Sequence, residues 1–156
     1  MTALNQRPII FPYSNPTSRS ECSAEEAYRW SDGRAIFASG SPFPPVDIGG
    51  RKFVPNQGNN VYIFPPMAMA LFATEAKRVT DSMFLTAAQA IAEQVSADNL
   101  AVGLIYPPRE RIFGASLHVA ERVAACIFDQ GLASVPRPDD IGALIRSRVY
   151  RPVYTG

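Results

Sequence analysis

The hydrophobic pattern changes character near residue 60. Before it, apolar residues come in short continuous runs; after it, they recur at helical spacing. Pro8-Ile9-Ile10-Phe11 is an unbroken apolar run bounded by prolines and predicts a short buried strand. Ser14-Asn15-Pro16-Thr17 follows as a turn signal. Ser23-Ala24-Glu25-Glu26 has the S-x-x-E form of a capping box and opens a helix that ends near Asp32-Gly33. Ala35-Ile36-Phe37-Ala38 predicts a second strand. Strand, turn, capped helix and strand make a βαβ unit, so the two strands are expected to be parallel. Pro42 to Gly58 reads as a loop-rich stretch. Val61 to Lys77 then reads as helical, with a kink or a late start imposed by Pro65-Pro66. Thr80-Asp81 caps a second helix whose apolar stripe is Phe84, Ala87, Ala88, Ile91 and Val95. Leu117, Ala120, Val123, Ala124, Ile127 and Phe128 mark a third, and Ile141, Leu144, Ile145 and Val149 a short last one. The fold class expected is α/β: a partial parallel sheet over residues 1–60, then a mainly helical tail over 61–156.

Composition narrows the function classes. A formal net charge of +1 gives no electrostatic reason to expect nucleic acid or an anionic membrane as partner. No run has the length of a membrane span, and Met1 to Arg7 carries no apolar signal core. A cytoplasmic location is the expectation. Cys22 and Cys126 are far apart and lack metal-ligand spacing, which suits two reduced thiols. The fourteen prolines fall at element borders and form no low-complexity tract. The single histidine, His118, falls within an amphipathic stretch and reads as a helix-surface residue.

In parallel sheets, ligands sit beyond the carboxyl ends of the strands. Asn15 and Ser39-Gly40-Ser41 occupy those ends. Asn15 is either a turn residue bonding its own backbone or a ligand amide, and spacing alone favours the turn. Asn59-Asn60 is either a helix N-cap or a pair of uncharged donors and acceptors suited to a hydroxyl or carboxylate. Gly40 lets backbone approach a ligand closely, or simply ends a strand. Glu25, Glu26, Asp139 and Asp140 lie at predicted helix starts, where acids oppose the helix dipole, and are not read as catalytic. Arg109, Glu110 and Arg111 read as a solvated face. No G-x-G-x-x-G, P-loop, G-x-S-x-G or H-E-x-x-H occurs.

Several of these stretches together resemble one family. Pro8 to Phe11, Ser14-Asn15-Pro16-Thr17-Ser18 and Glu21-Cys22-Ser23-Ala24-Glu25 are similar, in order, to a run of the malic enzymes. So are Gly33 to Phe43, Gln57-Gly58-Asn59-Asn60-Val61-Tyr62-Ile63-Phe64-Pro65, and Gly103 with Tyr106-Pro107-Pro108. The resemblance is collinear from about residue 5 to about residue 150. It implies a partial Rossmann-like sheet, the C-terminal part of an NAD(P)-binding domain. It also implies the family's reaction, the oxidative decarboxylation of L-malate to pyruvate and CO2 with reduction of NAD or NADP, dependent on Mg²⁺ or Mn²⁺. By the same resemblance Asn15, Asn59 and Asn60 bind substrate, and Asn15, Ser39 and Gly40 bind the cofactor.

The family's catalytic tyrosine and lysine, its acidic metal ligands and its glycine-rich turn have no counterpart here. No catalytic residue and no metal ligand is therefore assigned, and the chain alone is expected to be inactive. The partner expected is an N-terminal malic enzyme half or a second copy; the alternative is a non-catalytic protein associating with full-length enzyme. The sequence departs from the family at Pro12-Tyr13, at Asn56 and at Pro66. Pro12 is expected to remove a sheet donor just before Asn15.

Overall fold

The computed structural model describes residues 1–150. In chain order its elements are β1 (Ile9–Ile10), α1 (Ala24–Trp30), β2 (Ile36–Ser39), β3 (Val46–Ile48), β4 (Arg51–Phe53), β5 (Asn56–Gln57), α2 (Phe64–Thr74), α3 (Asp81–Ala92), α4 (Ala97–Ala101), α5 (Ile112–Asp129) and α6 (Ile141–Arg148). Single 3-10 turns lie at Thr17–Arg19, Asn60–Tyr62 and Arg109–Arg111. The chain forms two compact units. The first is Met1–Asn59 with Val95–Tyr106; the second is Asn60–Gln94 with Pro107 onward. The periodicity beyond residue 60 gave no sign of the excursion from Val95 to Tyr106, which folds with the sheet.

In the first unit β1, β2 and β5 form a parallel sheet in the order β1-β2-β5. The βαβ expectation holds. α1 starts where the capping box places it: Ser23 Oγ accepts from Glu26 N at 3.2 Å, and Glu26 Oε2 accepts from Ser23 N at 2.8 Å. It ends in a Schellman turn, with Gly33 N donating to Tyr28 O at 2.8 Å and Asp32 N to Arg29 O at 3.3 Å. Gly33 has φ +69°, and a Cβ there would meet Phe53 Cζ at 2.5 Å, so conformation and packing both demand glycine. The core is aromatic. Tyr28 stacks on Phe53 at 4.7 Å and meets Phe37 at 5.7 Å, over Ala24 and Ala27.

Two expectations are corrected here and one is refined. Pro8–Phe11 is not buried throughout: Pro8 is buried, but Ile9 is 56% and Phe11 37% exposed, the two lying on one face by alternation and that face being uncovered among the described residues. The stretch Pro42 to Gly58 is not only loop. β3 and β4 pair antiparallel across Gly49-Gly50, both at positive φ, and β5 pairs with β2. Pro12 removes no ladder donor, because β1 ends at Ile10; its carbonyl accepts from Gly40 N at 3.3 Å.

The second unit is helical. α5 lies against α2, α3 and α6. Its buried face is Ala115, Ser116, Val119, Ala120, Val123, Ala124 and Ile127, and the helices it packs against bury Ala70 and Ala73 in α2, Ala87 and Ala90 in α3 and Ile145 in α6. Small residues on facing helices permit a close approach of backbones, and the larger Met67, Met83 and Ile127 fill the remaining space. The late start of α2 is as expected. Pro65 and Pro66 occupy its first turn, where an N–H has no partner inside the helix. Asn59-Asn60 is not its cap: Ile63 holds that position, and Asn60 opens the preceding 3-10 turn. The stripe of α3 is shifted from expectation. Met83, Ala87, Ala90 and Ile91 are buried, while Phe84 is 43% exposed and Ala88 is exposed. Asp140 caps α6, its carboxylate accepting from Ala143 N at 2.8 Å. No helix among the described residues is long and apolar enough to cross a membrane.

Candidate functional site

The carboxyl end of the sheet gathers polar groups. β2 ends at Ser39, fully buried, whose hydroxyl donates to Ser41 O at 2.8 Å. Gly40 follows. A Cβ at Gly40 would lie 2.5 Å from Tyr13 O and 2.7 Å from Asn15 Nδ2, so the Asn15 side chain packs directly over this glycine. Asn15 Oδ1 accepts from Ser41 Oγ at 2.5 Å, and Asn15 Nδ2 donates to Tyr13 O at 3.4 Å. The peptide between Asn15 and Pro16 is cis. The turn reading of Asn15 therefore holds in part, since its amide bonds local backbone. That same amide also reaches across to the end of β2. Asn15, Ser39, Gly40 and Ser41 meet within the first unit. Asn59 and Asn60, both exposed, follow β5 in the chain.

Two neighbours of Asn15 were not foreseen. The Tyr13 ring lies against Gly58, where a Cβ would come within 2.6 Å of its Cε1 and its hydroxyl oxygen. Its hydroxyl lies 3.3 Å from that of Tyr106. Burial, followed by that hydrogen bond, pushes the Tyr13 hydroxyl well above the usual phenol range, so it stays protonated and able to donate. Ser14 Oγ donates to Glu21 Oε1 at 2.5 Å, which holds the Glu21 carboxyl below its usual range. Asn56 is 3% exposed and fully used. Its Nδ2 donates to Phe37 O at 2.8 Å and Gly103 O at 2.7 Å, while its Oδ1 accepts from Ile105 N at 2.7 Å. It fixes the segment after α4 beside β2. Gln57 Nε2 reaches Gly40 O at 3.1 Å. A buried asparagine bonded three times to backbone has no signature in sequence; its only hint was that the family has glycine there.

Chemically this end offers uncharged amides, hydroxyls and a glycine-permitted backbone, a donor set suited to carboxamide, hydroxyl or carboxylate groups. It does not suit a divalent cation. Among the described residues no group of three or more His, Cys, Asp or Glu side chains is placed to hold a metal ion. Glu25 and Glu26 lie in the first turn of α1. His118 Nε2 lies 3.3 Å from Glu93 Oε2 in the second unit, and Cys22 and Cys126 are free thiols.

Comparison with known proteins identifies the family. The family model described as the malic enzyme NAD-binding domain matches residues 1–128. The chain belongs to that family. Among curated relatives, it is 50% identical over 149 residues to the NADP-dependent malic enzyme of Dictyostelium discoideum, covering 96% of this chain and 27% of that one. It is 52% identical to NADP-dependent malic enzyme 3 of Arabidopsis thaliana and 53% identical to the NADP-dependent malic enzyme of Phaseolus vulgaris. Each match covers 99% of this chain and 26% of the relative. Among solved structures, the malic enzyme from Pyrococcus horikoshii superposes with a TM-score of 0.68 at 26% identity, over 90% of this chain and 28% of that one. The chain thus spans about a quarter of the length of the malic enzymes it matches, within their NAD(P)-binding domain. The parallel sheet with helices, and the helical part that follows, are a Rossmann-like malic enzyme fold.

Proposed function

We propose that this chain is the C-terminal part of the NAD(P)-binding domain of a malic enzyme and supplies one wall of its active site. The observation that carries the reading is the family match over residues 1–128, with Asn15, Ser39 and Gly40 gathered at the carboxyl end of a parallel sheet. The reaction is the oxidative decarboxylation of L-malate to pyruvate and CO2. The reduced dinucleotide is the other product, and the relatives' names favour NADP. The dinucleotide, when bound, supplies the hydride-accepting ring. This chain's residues act by positioning: Asn15, Ser39 and Gly40 toward the dinucleotide, and Asn15, Asn59 and Asn60 toward the malate carboxylate and hydroxyl. The described residues do not fit Mg²⁺ or Mn²⁺. No general base and acid pair is assigned within the 156 residues, so the chain alone is inactive.

Purified chain, given L-malate, Mn²⁺ and NAD or NADP, shows no dinucleotide reduction; steady turnover overturns the reading of inactivity. Supplying the N-terminal region of a malic enzyme as a second chain restores turnover. In that mixture Asn59→Ala and Asn60→Ala lose malate turnover while dinucleotide affinity stays close to normal. Equal loss of both would mean that these residues hold the fold and not the substrate.

A second reading, association without catalysis, has support in the open edge of β1 with Ile9 exposed, and in Trp30 at 65% exposure. It is tested by whether tagged chain retains full-length malic enzyme at equilibrium.

A further inference from the structure

The amino end of the same sheet carries a concavity of about 390 Å³. Four cationic side chains line it: Arg7 before β1, Arg34 before β2, and Arg51 and Lys52 on β4. No acidic side chain is among the residues that line it. Its aromatic side is the stacked pair Tyr28 and Phe53, and its apolar wall is the end of α4. The chain as a whole has a net charge of only +1, so this concentration of positive charge is local.

Two of the cations are held in place. Arg34 Nε donates to Ser31 O at 3.1 Å and its Nη1 to Gln6 O at 3.2 Å. Its nearest carboxylate, Asp32, is 3.8 Å from Nη2 and 86% exposed. The Arg51 guanidinium lies 5.1 Å from the centre of the Phe53 ring. A guanidinium fixed over an aromatic face loses little freedom when it takes up an anion. Arg7, Arg51 and Lys52 have no carboxylate within 4.0 Å among the described residues. Like charges gathered in one cleft repel each other, and an anion relieves that repulsion. Two or more guanidiniums with a lysine match a compact anion bearing several phosphate oxygens better than a single carboxylate.

We infer that this cleft is an anion site for a compact small molecule with two or more phosphate groups. It is separate from the carboxyl-end residues. β2 alone, from Ile36 to Ser39, sets the two ends roughly 10 Å apart at the usual strand rise. The site therefore depends neither on malate nor on the malic enzyme reading.

Isothermal titration of the full chain with inorganic pyrophosphate tests it, with citrate as a second anion. Pyrophosphate binds saturably with one site per chain and raises the melting temperature. Arg51→Gln combined with Lys52→Gln weakens it at least tenfold. These residues are exposed on a hairpin, and near-ultraviolet circular dichroism checks that the variant keeps its fold. Lys77→Gln with Arg78→Gln, the same loss of charge in the second unit, leaves binding unchanged. Three results each overturn the inference: no saturable binding, equal weakening by both double variants, or citrate binding more tightly than pyrophosphate.

Discussion

In the first unit the backbone is tied together by side-chain amides and hydroxyls, whereas in the second the helices meet through alanines. Asn56 satisfies three backbone groups, Ser39 and Gln57 both bond the loop after β2, and the aromatic core is small. The second unit packs the buried face of α5 against its other helices, and polar ties join its segments as well, Tyr62 Oη donating to Pro107 O at 2.8 Å. Thr74 Oγ1 donates to Ala70 O at 2.8 Å, and Ser134 N to Thr74 O at 3.0 Å. Under the proposed function the sheet end presents polar atoms to a ligand, and such a surface cannot be stabilised by apolar contact at the same place. Asparagines and glycines hold it instead. The helical unit carries no such constraint, so it packs at the density its small residues allow.

The largest effect should fall in the helical unit. Ile127 is fully buried at the C-terminal end of α5's packed face. Ile127→Ala removes its methylenes and leaves a void, costing about 2–5 kcal/mol. Chemical denaturation followed by far-ultraviolet circular dichroism reads this. A loss below about 1 kcal/mol would show that the alanine-lined interface collapses around the void.

Next comes the sheet unit's central tie. Asn56→Ala leaves Phe37 O, Gly103 O and Ile105 N without their partner, at about 1–3 kcal/mol for each group that water does not reach. Amide exchange should speed at Ile105 and across β2, while α5 keeps its protection. Uniform acceleration over both units would mean that the amide supports the whole chain and not the sheet alone. Smaller again, Ser23→Ala removes the α1 cap at a cost of about 1 kcal/mol, read as a lower denaturation midpoint.

The contrast between the units also explains what was legible in sequence. The Ser23–Glu26 box and the βαβ order are local patterns and appear as read; of the α5 face, Ala120, Val123, Ala124 and Ile127 are buried as expected, while Leu117 and Phe128 are half-buried. The hairpin was missed although Gly49-Gly50 between Val46-Asp47-Ile48 and Arg51-Lys52-Phe53 is a two-residue turn signal. Its strands are three residues long, too short for alternation to stand out. β5 has two residues, both polar, and no pattern at all. In α3, Ala87 and Ile91 are buried as expected, but Met83 takes the place of Phe84, because the two are adjacent apolar residues and only packing decides between them. At the carboxyl end of the sheet, Asn15, Ser39 and Gly40 were named from strand ends and family motifs. Tyr13 and Asn56 entered only as departures from the family. Their partners, Gly58 and Tyr106 for the one and Gly103 and Ile105 for the other, are distant in sequence, so their roles depend on tertiary contact.

The smallest effect is one of pH, and it separates the units by their carboxylates. In the helical unit Glu93, just beyond α3, accepts from His118 at 3.3 Å and from Arg122, both on α5. The hydrogen bond from His118, then the attraction and hydrogen bond of Arg122, holds its carboxyl below the usual range. A carboxyl whose folded pKa is depressed stabilises the fold at pH above its unfolded value. That stabilisation is lost as pH falls through the folded value. In the sheet unit Glu21 and Glu26 are lowered likewise, by Ser14 and by Ser23, so the wild-type chain has several groups on its acid limb. Glu93→Gln removes one of them and leaves the other two. The variant should melt lower than wild type near pH 7, and the gap should close as pH falls below about 4. The pair is exposed and screened by salt, so the gap at neutral pH should be small and should shrink further at high ionic strength. A gap that stays constant down to about pH 3 would mean that Glu93 contributes through packing of its stem and not through its charge.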